Sequence, residues 1–307
     1  MRKLLFLRGH KRVFGGHIKL RDYFLHCMDH PQLDPYVYFP DDTGQHDSGL
    51  WDEISEDRVV TEIRPDLYDL YLVAGKQWHL VPEGVDPRNI IHLFLVVLHD
   101  GEHNPRRAEL TRPAVRICAS QGVYASIAPY VNGELVVIHR GIPLELFRPQ
   151  GEKRQDSILI LAKKNKVLGK ALRQEFTSRG LEVSLITQYL PRAEYARLLR
   201  QSDIFVALPL ELEGFYIPAL EGMASNCAVI CSDAIGNRGF CVNGQTCLMP
   251  AFDHYESHVN GVEHLLGHSV FKEDIRRRGF EKAVGYSLQN ERTQFYSFLE
   301  DFVLSSA

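Results

Sequence analysis

No apolar run in this sequence is long enough to cross a bilayer, which excludes a membrane-spanning helix. Net charge is also scarce. Lys and Arg number 35 against 39 Asp and Glu, giving -4 at pH 7, which argues against general nucleic-acid binding while leaving room for local patches. The six cysteines lie in or beside apolar runs without paired spacing. A disulfide framework is therefore not expected, and they read as reduced core residues of a cytoplasmic protein. The opening Met1-Arg-Lys and the short apolar Leu4–Leu7 lack the length and cleavage site of a signal peptide, so they read as a first strand. His264 and His268 stand at helical spacing, but nothing nearby completes a metal site, and none is expected.

The chain does contain repeated short apolar runs. Its 307 residues, 45% hydrophobic and 24% charged, are enough for two soluble domains of ordinary size. Tyr36–Phe39, Leu70–Ala74, Ile90–Leu98, Val115–Ser120 and Leu135–Ile138 read as strands. The polar stretch from Pro149 to Gln155 reads as a linker, and Ser157–Ala162, Glu182–Thr187, Asp203–Leu208, Ala228–Cys231 and Cys247–Met249 as a second set of strands. Helical segments lie between them. This alternation implies an α/β protein of two Rossmann-like, doubly wound domains facing a cleft, residues 1–150 and 151–307.

The most informative stretch is Glu213-Gly-Phe-Tyr-Ile-Pro-Ala-Leu-Glu221, between two of those strands. Pro218 suits the first turn of a helix, where its missing N–H costs nothing. Gly214 lets the backbone come close to a ligand, and the helix start after Phe215, Tyr216 and Ile217 is expected to offer free N–H groups to a phosphate. Glu213 in the loop and Glu221 one turn into the helix are placed to accept hydrogen bonds from sugar hydroxyls. A ligand that is part phosphate and part sugar satisfies both features.

Other stretches admit more than one reading. Gly15-Gly16, between the first strand and a helical period, suits either a close backbone approach to a ligand or any tight turn. His99, in His99-Asp-Gly-Glu-His103, stands at a strand's carboxyl end and can face a crevice, can join Asp100 and Glu102 around a metal, or can belong to a plain polar loop. Lys163, Lys164, Lys166 and Lys170 follow the strand at 157–162, as a phosphate site or a solvated basic turn. Residues 41–57 hold seven Asp or Glu and no Lys or Arg, around Trp51; a solvated insertion or an acceptor-recognition loop both fit. Residues 1–21 hold seven Lys or Arg and no acid. Of these, Arg8, Lys11 and Arg12 are placed to attract a phosphorylated acceptor or an anionic membrane face, or form plain surface.

Glu213-x7-Glu221, with Met223-Ala224, Val229-Ile230, Ser232-Asp233 and Gly236-Asn237 in register, resembles the donor-site signature of GT-B glycosyltransferases, closest to the retaining family 4. The likeness is strong from 200 to 250 and diffuse elsewhere. It implies a glycosyltransferase that moves a sugar from a nucleotide-activated donor (UDP, GDP or ADP, not distinguished) to a sugar, glycolipid or other acceptor, with retention and without metal or cofactor. It also implies that His99 contacts the donor sugar, that Gly15-Gly16 forms the glycine-rich first loop, and that the turn from Gln188 to Leu190 receives the base. Lys163 falls where the family has an arginine on the pyrophosphate, with Lys166 or Lys170 as the second cation; the usual Glu-Lys-Gly does not occur. Glu221 would hold ribose hydroxyls, and Glu213 would position the sugar. His139-Arg140-Gly141 replaces the usual Pro-Asn-Gly, and the last helix is expected to cross back to the first domain. A catalytically silent sugar-nucleotide-binding subunit, a sugar phosphorylase or a nucleotide-sugar epimerase would share the same cleft.

Overall fold

The structure is a computed structural model and describes residues 1–8, 15–40, 51–75, 77–99, 104–151 and 153–304. It divides into two compact units, Met1–His139 with Glu291–Ala307, and Arg140–Asn290.

In the first unit the strands are β1 (Arg2–Leu7), β2 (Leu33–Tyr38), β3 (Val59–Val60), β4 (Leu70–Ala74), β5 (Ile90–Phe94), β6 (Val115–Cys118) and β7 (Leu135–Val137). They pair in parallel in the order β3-β2-β1-β4-β5-β6-β7. Between them lie α1 (Gly15–Met28), α2 (Arg107–Leu110) and α3 (Gln121–Ile127). Leu4–Leu7 of β1, and β5 apart from its buried His92, are apolar on both faces because both faces are covered, as in all-parallel sheets. The apolar run at 90–98 continues past the strand, which ends at Phe94; Val97 and Leu98 are buried outside the sheet.

The second unit begins with α4 (Leu144–Phe147) and continues β8 (Arg154–Leu161), α5 (Lys166–Ser178), β9 (Val183–Ile186), α6 (Arg192–Gln201), β10 (Ser202–Ala207), α7 (Ile217–Ala224) and β11 (Ala228–Cys231). Its parallel sheet runs β11-β10-β8-β9. The expected strand at Cys247–Met249 reduces to two isolated bridges, Leu248 to Ile230 and Cys247 to Asn243. Then come α8 (Tyr255–Gly267), α9 (Ser269–Val284) and α10 (Leu288–Leu299), the last lying mostly in the first unit, where Phe295, Phe298 and Leu299 join its core. The polar stretch 149–155 lies inside the second unit, leading into β8. Gly141 is there for steric reasons: a Cβ would meet the backbone of Ser287 and Leu288, with which the chain pairs through Ile142.

Two expectations change on folding. Trp51 is 2% exposed and packs edge-on against Phe24 and Phe39, so it is core and cannot stack on a sugar. The basic residues of positions 1–21 do not form one exposed patch. Arg8 is buried over the Phe39 ring, Lys19 is fully buried, and Arg21 pairs with Glu53. Burial is tolerable for these cations because each finds a ring or a carboxylate. Lys11 and Arg12 lie outside the described residues, as do Asp100, Glu102 and His103. All six cysteines are buried and free. Among the described residues no cluster of His, Cys, Asp and Glu could hold a metal, and no helix is long and apolar enough to cross a membrane.

Candidate active site in the second unit

In an open parallel sheet, ligands sit beyond the carboxyl ends of the strands where the winding direction reverses. In the order β11-β10-β8-β9 that point lies between β8 and β10, whose following helices, α5 and α7, leave on opposite sides. The loop after β8 carries Lys163 and Lys164, and the loop after β10 carries Glu213.

The structure brings these residues together. The half-buried Glu213 carboxylate pairs with Lys164 Nζ, and its Oε1 also accepts a long hydrogen bond from Leu210 N–H at 3.4 Å. Lys164 lies over the Tyr216 ring at 5.6 Å, and Lys163 over the ring of Tyr189 at 5.4 Å, within the Gln188–Leu190 turn. Partial burial, followed by the charge of Lys164, lowers the Lys163 pKa, with Glu221 opposing. Glu221 is buried, and its Oε1 accepts from Arg192 Nη1 at 2.6 Å. Two carboxylates and three cations thus converge from the loops after β8 and β10 and from helices α6 and α7. Such a set can accept hydrogen bonds from hydroxyls and neutralise a diphosphate.

The start of α7 differs from expectation. Tyr216 N–H donates to Asn237 Oδ1 at 2.9 Å, Ile217 N–H to Phe215 O at 3.2 Å and Ala219 N–H to Tyr216 O at 3.2 Å, while Pro218 has none. The helix end keeps its dipole, but these N–H groups are taken. Positive charge for a phosphate comes here from side chains instead. Lys166 and Lys170 are exposed on α5 and form no ion pair among the described residues. Lys164 is the second cation at the carboxylates.

Lys164, Arg192 and Asn237 were missed as site residues. Lys164 was hidden among equivalent lysines. Arg192 stands 29 residues from Glu221, and only the return of α6 beside α7 joins them. Asn237 stood within the quoted motif, yet its role needs the fold. Its amide bridges Tyr216 N–H and Cys231 Sγ, the latter at 3.3 Å, from a fully buried position.

In the first unit the winding reverses between β1 and β4. A cavity of about 150 Å³ lies there, lined by Arg8, Gly16, His17, Gly75, Gln77 and Arg106 among others. Gly16 is therefore at a ligand-accessible crevice, whereas Gly15 is an exposed start of α1. A Cβ on Gly16 would make only ordinary contact with Leu95 at 3.7 Å, so the protein itself does not demand glycine there. His99 is exposed, its carbonyl capped by Asn104 Nδ2 at 2.8 Å, and it does not line this cavity.

Residues 146–268 match the family model described as glycosyl transferases group 1. A search of curated proteins returned no match. Among solved structures, sucrose-phosphate synthase from Thermosynechococcus elongatus superposes with a TM-score of 0.77 at 13% identity over 100% of both chains. A glycosyltransferase from Rickettsia africae ESF-5 gives 0.72 at 14% over 99% of both chains. HepE of Anabaena, solved in complex with UDP-glucose, gives 0.67 at 14% over 98% of this chain and 100% of its own. At such identities the structural likeness speaks for the fold, and the matched segment contains the whole Lys163–Glu221 constellation. The chain is a GT-B protein, and its residues 146–268 match the glycosyl transferases group 1 family.

Proposed function

We propose that this protein is a glycosyltransferase that moves a sugar from a nucleotide-activated donor to a sugar, glycolipid or other hydroxyl-bearing acceptor, with retention and without a metal. One observation carries the reading: Glu213 and Glu221 sit with Lys163, Lys164 and Arg192 at the reversal point of the second sheet.

The reaction breaks the bond between the anomeric carbon and the diphosphate oxygen, and the electron pair leaves with the phosphate. The acceptor oxygen takes its place on the carbon, and its proton passes to the departing diphosphate, whose oxygen becomes basic as the bond breaks. Charge therefore develops on the departing diphosphate, and fixed cations at that point lower the barrier. Lys163 and Lys164 supply them from the β8 loop. Lys163 loses charge at lower pH than an ordinary lysine, so diphosphate binding weakens early on the alkaline side. Glu221 holds the ribose, Glu213 positions the donor sugar, and the Gln188–Leu190 turn takes the base. The bound UDP-glucose of HepE supports a nucleotide-sugar donor on this fold. A peripheral contact with a membrane that carries the acceptor fits the same reading, as does a cytoplasmic location.

Calorimetry with UDP, GDP and ADP, and release of nucleoside diphosphate from the matching sugar donors in EDTA, tests the proposal. Binding and EDTA-resistant release are expected. A chain that binds nucleotide but releases none, with any acceptor, is a silent binding subunit. Glu213→Gln keeps the shape and removes the charge, so turnover should fall at least tenfold while nucleotide affinity stays within about threefold. Normal turnover in that variant would remove Glu213 from the mechanism.

A further inference from the structure

Glu221 has two oxygens, and only one is engaged. Oε1 accepts from Arg192 at 2.6 Å; among the described residues Oε2 accepts no hydrogen bond, although the side chain is 1% exposed. A carboxylate this deep requires a cation beside it. Arg192 is built to be that cation. It is the first residue of α6, and its guanidinium lies 4.8 Å above the ring of Phe147, which is fully buried. Phe147 in turn meets Tyr195 edge-on at 6.2 Å. A flat guanidinium fixed on a ring loses less freedom on binding than a free chain, and presents its donors in one plane. Beside the pair, the Tyr195 hydroxyl is buried and has no hydrogen-bond partner among the described residues. Burial raises the Tyr195 pKa first and the charge of Glu221 next, so this hydroxyl stays a donor within electrical reach of the carboxylate. A free carboxylate oxygen and an unsatisfied hydroxyl, both buried, leave hydrogen-bonding capacity that the adjacent hydroxyls of a polar ligand would meet.

We propose that Arg192 is a positioning residue for ribose recognition: stacked on Phe147, it holds Glu221 by Oε1 and keeps it turned so that Oε2 takes the vicinal hydroxyls of a ribonucleotide. The inference rests on the nucleotide-sugar reading and names what makes that site discriminate ribose from deoxyribose. A site built around a hydroxyl rejects the ligand lacking it, because its buried polar groups are then left unpaired.

The experiment compares UDP, GDP and ADP with their 2′-deoxy forms by calorimetry, on the full chain and on Arg192→Ala and Arg192→Lys. Wild type should prefer the ribo form roughly tenfold to hundredfold, the range for a hydrogen bond to a charged group. Arg192→Ala should bring that ratio close to one, and Arg192→Lys should retain part of it. A merely structural role would weaken both ligand forms alike and leave the ratio unchanged, which would overturn the proposal. Equal binding of both forms by wild type would overturn it too, while leaving the nucleotide reading intact. Failure of wild type to bind any of the nucleotides would remove both. Should Arg192→Ala not fold, Arg192→Gln carries the same comparison, since it keeps a donor without the charge.

Discussion

Replacing Lys19 by methionine is expected to destabilise the first unit by about 3–5 kcal/mol at neutral pH, the cost of breaking a buried ion pair from one side. Lys19 is wholly buried in α1, with Nζ 2.6 Å from Glu291 Oε2 and 2.8 Å from Asp22 Oδ2. Glu291 lies on α10 and is equally buried, with His26 Nε2 at 3.5 Å. The lysine therefore ties the first helix to the segment that returns to this unit. Burial alone would push the Glu291 carboxyl up; Lys19, then His26, outweigh it and leave its pKa lowered. A carboxylate lowered on folding adds stability above its unfolded value of about 4.3, and that stability is lost as pH falls through the folded pKa. In Lys19→Met the same carboxyl is buried without its cation, so its pKa moves up and acid no longer penalises it. The gap between wild type and variant should thus narrow between pH 7 and pH 4 in urea melts. Pairing the change with Glu291→Leu should recover most of the loss, because a buried pair and its apolar replacement differ little. A loss below about 1 kcal/mol at pH 7 would place this pair with ordinary surface bridges.

The same lysine shows how far the sequence can be read. Lys19 and Arg8 looked like members of a surface basic cluster, since no local pattern reveals that Glu291 waits 272 residues away or that Phe39 lies beneath the guanidinium. Trp51, amid seven acids, looked like an exposed loop residue for the same reason. Strands such as Leu4–Leu7 and Asp203–Leu208 were legible because a parallel strand covered on both faces must be apolar throughout. Glu213 and Glu221 were legible because their spacing is local to one loop and helix. Their cations were not. Lys164 reaches Glu213 across 49 residues and Arg192 reaches Glu221 across 29, and both meetings depend on strand order rather than spacing. The helix start misled in a different way. Free N–H groups are a sound default for an isolated helix, but Asn237 and the turn at Phe215 had already taken them.

Gly236→Ala is expected to lower turnover by roughly 100-fold while leaving the protein folded, the scale on which a small displacement of a reacting group is felt. Gly236 is buried, and its N–H donates to Glu213 O at 2.9 Å. A Cβ there would fall well inside van der Waals contact of the Gly214 carbonyl and of Glu213 O. Those atoms are backbone and cannot rotate aside as a side-chain end would. The Glu213–Gly214 loop must therefore move, and with it the carboxylate paired to Lys164. Next in sequence, Asn237 holds Tyr216 at the start of α7, which limits how far the displacement runs along the chain into the helix that carries Glu221. Glu221 is also fixed independently by Arg192. Turnover should consequently suffer far more than nucleotide affinity, which is expected to change less than tenfold. Gly239→Ala is the control: that glycine is exposed, and a Cβ would meet nothing closer than the Tyr286 hydroxyl at 3.9 Å. Steady-state kinetics and calorimetry on both variants decide the matter. Turnover of Gly236→Ala within twofold of wild type would show that the loop absorbs the added methyl without moving Glu213, and the tight packing under it would then have no part in the chemistry.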